Sequence, residues 1–582
     1  MAIAKKKKKR RKKLSKAEKA LARIKSSHTR MLRGSFRDAG FTEITDLRDY
    51  EFTFDGFTSD TDDVFLYENL IVIVERTTAE KPSEHFKKKL ALYLRIEKKY
   101  AHFISYLRSL EELEDTDFVK NYDENECIVK IVYCSRYEID EKQKKKSSEI
   151  KFLDYSVLRY FYAISRAIKQ TSLPEFFQFL GVNSINVGNG GQISSSHPKS
   201  DHDCLILSNS KANLPAGFKV ISLYIAAETI LNSVYVLRKQ GWSADINAYQ
   251  RMVVPKKINE IRKYIVQDGH VFMNNVIITL PSDTKVLENS PKQPVSSVSG
   301  LKTGSVSIGH GPNTIGVVDG QHRILSFYVG EPSEKEMQTR RKKQNLLATA
   351  IIFPKTYTSE QRQEFEAKLF LEINTNQKPL PPALSLSIET LVQPFSDHAI
   401  ASRVISELDK SGALQGVIEK YFFETEKLKP ASIVKFQLSH LVRIPKEKNT
   451  KGDRTTNLFD HWDGRGKNGL IGKKEYQTND YKKLEKYIEY CTTEINAILL
   501  ALKKNSPKGT WTAARSVDDR VLTTLNINAI LACLREQLKE GEPLTHKEYL
   551  EKFKDFNFSS YQNYKSSQYN KMGQKIYADL FK

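Results

Sequence analysis

Residues 314–329 read TIGVVDGQHRILSFYV. The apolar run at 314–318 predicts a short strand, Gly320 a turn, and residues 324–329 the opening of a helix. At such a turn the first N–H groups of the helix are unpaired and its dipole end is positive, which suits an anion. Gly320 lets the chain turn sharply or approach a ligand closely. His322 and Arg323 add donors, and the guanidinium fork matches phosphate. Asp319 has three readings: a helix cap, a metal ligand, or a base towards a hydroxyl or water. Taken alone, Asp319-Gly320-Gln321-His322-Arg323 also reads as a capped helix with an arginine on its surface.

The flanking segments extend the pattern. Upstream, Tyr249-Gln250-Arg251 leads into a helix over 255–266 with Ile258, Ile261 and Ile265 at helical spacing, followed by a strand over 272–280. Downstream come a buried strand at 346–353, a helix at 360–371, and Glu372-Ile373-Asn374-Thr375-Asn376-Gln377-Lys378-Pro379. Together these words resemble the DGQHR-domain family, which is similar to the ParB/sulfiredoxin superfamily. The resemblance covers residues 249–391. It implies a phosphate-recognising pocket for a nucleotide such as ATP or CTP. Gly320, Gln321, His322, Arg323, Arg251, Asn374, Gln377 and Lys378 would bind it, and Asp319 and His322 would act chemically. The Asn and Gln side chains equally suit plain turn contacts. The family's DndB-like branch is associated with DNA phosphorothioation as a DNA-binding regulator, and a related branch hydrolyses ATP. DNA and other DNA-modification or defence proteins are the implied partners.

The N-terminal part carries a second pattern. A helix is expected over 16–39, then strands at 49–54, 64–67 and 70–74, a long helix over 83–110, and a buried strand at 127–133. Glu68-Asn69 suits a tight hairpin turn. A two-residue loop sets Asp62 opposite Glu75, and a three-residue loop sets Asp63 there. Opposed carboxylates repel unless a cation lies between them, and Mg²⁺ accepts such oxygen ligands. This order and these acids resemble the PD-(D/E)xK nuclease fold over residues 15–135. The resemblance implies Asp62, Asp63, Glu75 and Thr77 as catalytic positions, with Asp63 and Glu75 as metal ligands. The family's Glu-x-Lys is Glu75-Arg76-Thr77 here. Thr77 offers no ammonium, so Lys87, Lys88 or Lys89 would have to supply it. Glu43 is a further upstream acid. The plainer reading is a hairpin with solvated acids at its open end.

Composition bounds these readings. The 582 residues are 40% hydrophobic and 28% charged, enough to bury cores and too apolar for global disorder. No apolar run reaches the roughly 18 residues of a membrane helix. The five cysteines lack zinc-knuckle spacing, which points to a reducing, intracellular setting. The expected location is cytoplasmic and nucleoid-associated, with no membrane partner. Net charge is +22, yet residues 1–30 alone hold 14 Lys/Arg against Glu18, with an unbroken basic run at 5–13. Such an arm attracts polyphosphates without sequence preference.

The expected fold is a mixed α/β (α+β) multidomain chain. A basic arm (1–30) precedes a restriction-endonuclease-like αβββαβ domain with trailing helices (31–185) and a linker (186–215). A ParB/sulfiredoxin-like DGQHR domain (216–440), a loop (441–480) and a helical region (481–582) follow. The aromatics of 553–569 suit core packing better than base stacking. Three functions compete: a DNA-modification or defence protein with a metal-dependent nuclease-like domain, a non-catalytic DNA-binding regulator, and a nucleotide hydrolase or phosphotransferase.

Overall fold

The computed structural model describes residues 15–188, 199–207, 215–236, 253–267, 274–289, 301–309, 314–375, 382–420, 424, 426–444, 457–465 and 478–582. They form two compact units. One combines Met1–Tyr235 with Met252–Ile352, and the other Val236–Arg251 with Phe353–Lys582. The chain is mixed α/β, with its sheets in the first unit and a helical C-terminal part in the second.

Helix α1 (Lys16–Asp38) begins at a capping box: Ser15 Oγ accepts from the Glu18 N–H, and Glu18 accepts from the Ser15 N–H. It ends before Gly40, whose φ of 104° turns the chain back. There follow β1 (Thr42–Glu43), β2 (Tyr50–Phe54), β3 (Phe57–Thr61), β4 (Asp63–Tyr67), β5 (Leu70–Thr77), α2 (Pro82–Lys98), α3 (Tyr100–Arg108), β6 (Ile128–Ser135) and β7 (Ile150–Asp154). Five strands form one sheet in the order β1-β4-β5-β6-β7, with β4–β5 antiparallel and β5–β6–β7 parallel.

This differs from αβββαβ in three ways. The short, polar β3 pairs with β2 as a separate two-stranded sheet. Strands β1 and β7 extend the main sheet. The single long helix breaks at Lys99, beside which the Tyr100 hydroxyl accepts from the Val129 N–H at 2.7 Å and ties α3 to β6.

The sheet buries both faces. Val64, Leu66, Ile71 and Ile73 join Phe86, Leu92, Tyr93 and Ile96 of α2 and Phe103 of α3 in one core. On the opposite face Phe65 stacks on Phe36 of α1 at 4.3 Å, with Phe176 edge-on to Phe36.

The second sheet comprises β8 (Lys199–Ile206), β9 (Lys219–Ala226), β10 (Val234–Val236), β11 (Val276–Leu280), β12 (Lys285–Glu288), β13 (Lys302–Gly309), β14 (Ile315–Asp319) and β15 (Asn345–Ile352). Its order is β10-β14-β11-β15-β9-β8-β13-β12. The helix Pro255–Gln267 lies where helical spacing predicts it. The helix expected from 324 instead spans Gln321–Leu325, five residues only. Residues on both sides of the 186–215 stretch meet in this unit: the Gln170 N–H donates to Val329 O at 3.1 Å, and the Val329 N–H to Thr171 Oγ1 at 2.9 Å.

In the second unit, helices Asp397–Ser411, Thr478–Asn505, Thr524–Glu540 and Tyr569–Leu580 surround one core. A Cβ at Gly573 would stand 2.5 Å from Ala529 O, so only glycine allows the last two helices to approach this closely. Phe553 and Tyr561 are buried there, and Phe556, Phe558 and Tyr564 lie against them, which is a packing role. His461 ties its turn to Glu542 and Leu538 O. All five cysteines are buried and free. No helix among the described residues is long and apolar enough to cross a membrane.

Phe36→Ala removes a fully buried ring wedged between α1 and the sheet. It should cost about 3–5 kcal/mol, read as a lower guanidinium midpoint. A loss under about 1 kcal/mol would mean that the site collapses around the missing ring.

Candidate functional site

The turn at Glu68-Asn69 decides the first site. Glu68 takes φ 52°, and Tyr67 pairs with Leu70, which sets Asp63 opposite Val74. One step further, Asp62 comes level with Glu75, and its Oδ2 accepts the Arg76 N–H at 2.8 Å. Because strand side chains alternate, Glu75 faces α2 while Asp63 and Arg76 face α1; Asp62, just before β4, lies near Glu75 and also meets the Arg76 guanidinium at 3.4 Å.

Helix α2 lies over Glu75 and presents His85 and Lys89, one turn apart. Lys89 Nζ is 3.1 Å from Glu75 Oε2 and 2.8 Å from Asp60 Oδ1. It also donates to Asp60 O at 2.7 Å. His85 Nε2 is 3.5 Å from Glu75 Oε1, and its Nδ1 is 2.8 Å from the Tyr133 hydroxyl. Tyr133 donates to Pro82 O at 3.1 Å, so it accepts from His85, and the Nε2 lone pair faces Glu75. The parallel register of β5 and β6 places Tyr133 beside Glu75.

Glu75 is 2% exposed, and its Oε2 makes no aligned hydrogen bond despite the nearby ammonium. Burial first, and the Asp62 charge second, push the Glu75 carboxyl up to about 8. Burial and then the Lys89 charge hold His85 below its ordinary value. Burial also raises Asp62. Burial thus favours the neutral form of Glu75, while the nearby acids favour the charged form of Lys89.

The remaining nuclease-like positions go elsewhere. Asp63, fully buried, is held by Arg33 at 2.7 Å and Arg76 at 2.8 Å. It does not join Glu75 as a metal pair, because adjacent residues of a strand face opposite ways. Glu43 of β1 pairs with Arg33 and Arg48. Thr77 shares the Glu75 face, but its Oγ1 accepts the Ala79 N–H at 3.2 Å in the turn that ends β5. Lys87 and Lys88 are exposed. Asp60, His85 and Tyr133 are the members that sequence reasoning missed. The four-residue spacing of His85 and Lys89 was a visible signal, whereas Asp60 depended on the unforeseen β3. Among the described residues no group of three or more His, Cys, Asp or Glu is arranged to hold a metal ion.

The second site is the Asp319–Arg323 turn. Gly320 has φ 99°, and a Cβ there would meet Val276 Cγ1 at 2.6 Å, so the position requires glycine. Gly320, not Asp319, is the N-cap residue. Asp319 instead pairs with Arg323 Nη2 at 2.9 Å. His322 Nε2 accepts the Val254 N–H at 3.3 Å. Gln321 is 2% exposed, and among the described residues neither its amide nitrogen nor its oxygen has a partner.

The chain after this turn is clamped by two buried arginines. Arg262 donates to the carbonyls of Ser326, Tyr328, Gly330 and Pro332 and lies 3.9 Å over the Tyr328 ring. Arg341 donates to Phe327 O and Tyr328 O. Together they end the helix at Leu325 and hold the turn in place. Arg251, Gln377, Lys378, the Asn374 side chain and the basic run at 5–13 lie outside the described residues.

Fold and turn thus define a mixed α/β protein with a helical C-terminal part and the Asp319–Arg323 word at the end of β14, one strand in from the sheet edge. A family model described as DndB, DNA-sulfur modification-associated, matches residues 216–576. This is more than half of the chain, which belongs to the DndB family. No curated protein and no solved structure matches it.

The Glu75 shift has a sign that unfolding can read. Its carboxyl rises from 4.5 to about 8 on folding. The stability linked to its neutral form is therefore complete below the unfolded value and lost as pH rises through about 8. Glu75→Gln, which keeps the shape without the charge, should flatten the fall in thermal stability between about pH 5 and 8 by a few kcal/mol. Parallel curves for the two proteins would mean that Glu75 titrates as an ordinary carboxylate.

Proposed function

We propose that this DndB-family protein acts on DNA in the setting of DNA-sulfur modification, and that Asp62, Glu75 and Lys89 form a metal-dependent phosphodiester-cleaving site. The observation that carries the reading is Lys89 Nζ, delivered by α2 to within 3.1 Å of Glu75 Oε2. In the PD-(D/E)xK pattern the lysine stands two residues after the acid. Here Thr77 holds that place and α2 supplies the ammonium. Glu75 Oε2, buried without an aligned partner, and the raised Asp62 beside it suit a hard divalent cation such as Mg²⁺. Such an ion would orient water and stabilise negative charge. Lys89 would hold charge developing on the phosphate. Glu75 would release its proton to solvent on binding the cation, and His85 would accept towards the site through its Nε2 lone pair.

At Asp319–Arg323 we propose a phosphate-binding turn for a nucleotide, ATP or CTP, or for a DNA end. The buried Gln321 amide favours it: a donor and an acceptor without partners cost free energy until a ligand fills them. Arg323 would turn from Asp319 to the phosphate. A non-catalytic DNA-binding regulator is the second reading. It is favoured by the shift of Glu75 towards its neutral form, which leaves the site short of negative charge.

The test is plasmid cleavage with and without Mg²⁺, on sulfur-modified and unmodified DNA. Nicking should need Mg²⁺, rise with pH towards about 8 as Glu75 ionises, and fall at least about 100-fold in Glu75→Ala and Lys89→Ala. Salt-sensitive DNA binding without nicking, unchanged in Glu75→Ala, would establish the regulator instead. Saturable ATP or CTP binding lost in Arg323→Ala tests the turn, and no binding of either nucleotide would remove it.

A further inference from the structure

The helical run at 430–441 widens into a π-turn at Val434–Leu438. Within that turn Gln437 is buried, while Lys435 and Phe436 face solvent. Phe436 is 49% exposed, and its ring stacks on Tyr569 at 5.9 Å with an interplanar angle of 25°. A large exposed ring braced by a second ring is costly in water and gains by stacking on a flat partner.

Next to this pair lies Arg535. Its Nη1 donates to Gln437 Oε1 at 3.1 Å, and Gln437 also bonds Asn570, the neighbour of Tyr569. Arg535 Nε is buried without a partner, and among the described residues no carboxylate pairs with the guanidinium. Burial pushes the Arg535 guanidinium below its usual range. Glu536 attracts it, but that carboxylate is held by Lys539 at 2.8 Å. A desolvated guanidinium without a counter-ion is poised for an anion.

Its neighbours are held towards neutrality or paired, apart from two exposed lysines. His440, one turn after Phe436, is held low by burial and then by Arg535 and Arg443. Asp397 opposes them and pairs with Arg443 at 3.0 Å. Lys435 and Lys571 are exposed nearby in sequence. Aromatic stacking next to a guanidinium that has no carboxylate partner among the described residues is the chemistry of a nucleotide unit, a flat base joined to a phosphate.

We infer that Phe436, Tyr569 and Arg535 form a site for a base and its phosphate within a single strand of DNA. It is separate from the acidic cluster and from the Asp319–Arg323 turn. A duplex hides its base faces, so a stacking platform favours unpaired DNA, whereas charge alone treats both forms alike.

The experiment uses the full chain, with fluorescence anisotropy on a labelled oligothymidine, a duplex of equal length, and a fluorescent nucleoside triphosphate. Phe436→Ala and Arg535→Gln should each weaken single-strand binding about tenfold. Duplex binding, which the basic run at 5–13 also supports, should change by less than about twofold. Phe436 is exposed, so its variant should melt as the parent does, and it carries the test if Arg535→Gln proves unstable. Unchanged single-strand affinity in Phe436→Ala overturns the site. Equal losses on strand and duplex overturn the stacking role and leave a general charge patch. Loss of triphosphate binding alone overturns the strand and identifies a free nucleotide. None of these outcomes depends on Glu75, so the result is independent of the cleavage assay.

Discussion

The register of one hairpin governs the N-terminal site. Tyr67 pairs with Leu70 across Glu68-Asn69, and every later side chain of β4 and β5 takes its face from that pair. A slip of one residue would exchange Asp62 for Asp63 beside Glu75 and send hydrophobic residues to the wrong core. Both faces are buried, which strongly specifies the register. The acids on the two faces have accordingly different fates. Asp63 is neutralised by two arginines, a structural ion cluster beneath α1. Glu75 meets one lysine, one histidine and a second acid, and burial shifts it towards its neutral form.

The Asp319–Arg323 turn depends on a different device. Its helix is too short to fix itself, so the geometry comes from outside it. Arg262 and Arg341 place charge-assisted donors on the carbonyls of Ser326, Phe327, Tyr328, Gly330 and Pro332. Such bonds are strong where the carbonyls are desolvated. Removing either arginine would leave buried acceptors unmet. The turn is thereby rigid, while Gln321 within it has unfilled hydrogen-bonding capacity.

Much of this was legible from residue order. The capped α1, the tight hairpin, the helix at 255–267 and the glycine turn each follow from local chemistry that acts within a few residues. The DndB-family character was legible from the five-residue word and its ordered neighbours. The break at Lys99 and the early end of the helix at Leu325 were not, because each answers to partners distant in sequence: Val129 and the two clamping arginines. Strand β3 pairs with β2 across the local turn Asp55-Gly56, but its polar residues gave no apolar strand pattern. The net charge of +22 was a poor guide to either site. Both are built from buried, nearly balanced groups.

Local chemistry in the sequence set the capped α1, the hairpin at Glu68-Asn69 and the helix at 255–267, put an acid across that hairpin from Glu75, and let Gly320 turn a strand towards Arg323. Those outcomes rest on periodicity, turn chemistry and sterics within a short stretch. Only the tertiary structure decided that Lys89 rather than Thr77 stands by Glu75, that Asp63 is a structural acid, and that Asp319 spends its charge on Arg323. Those outcomes depend on which side chains meet after helices and strands pack, and on how far burial strips water from the charges that meet.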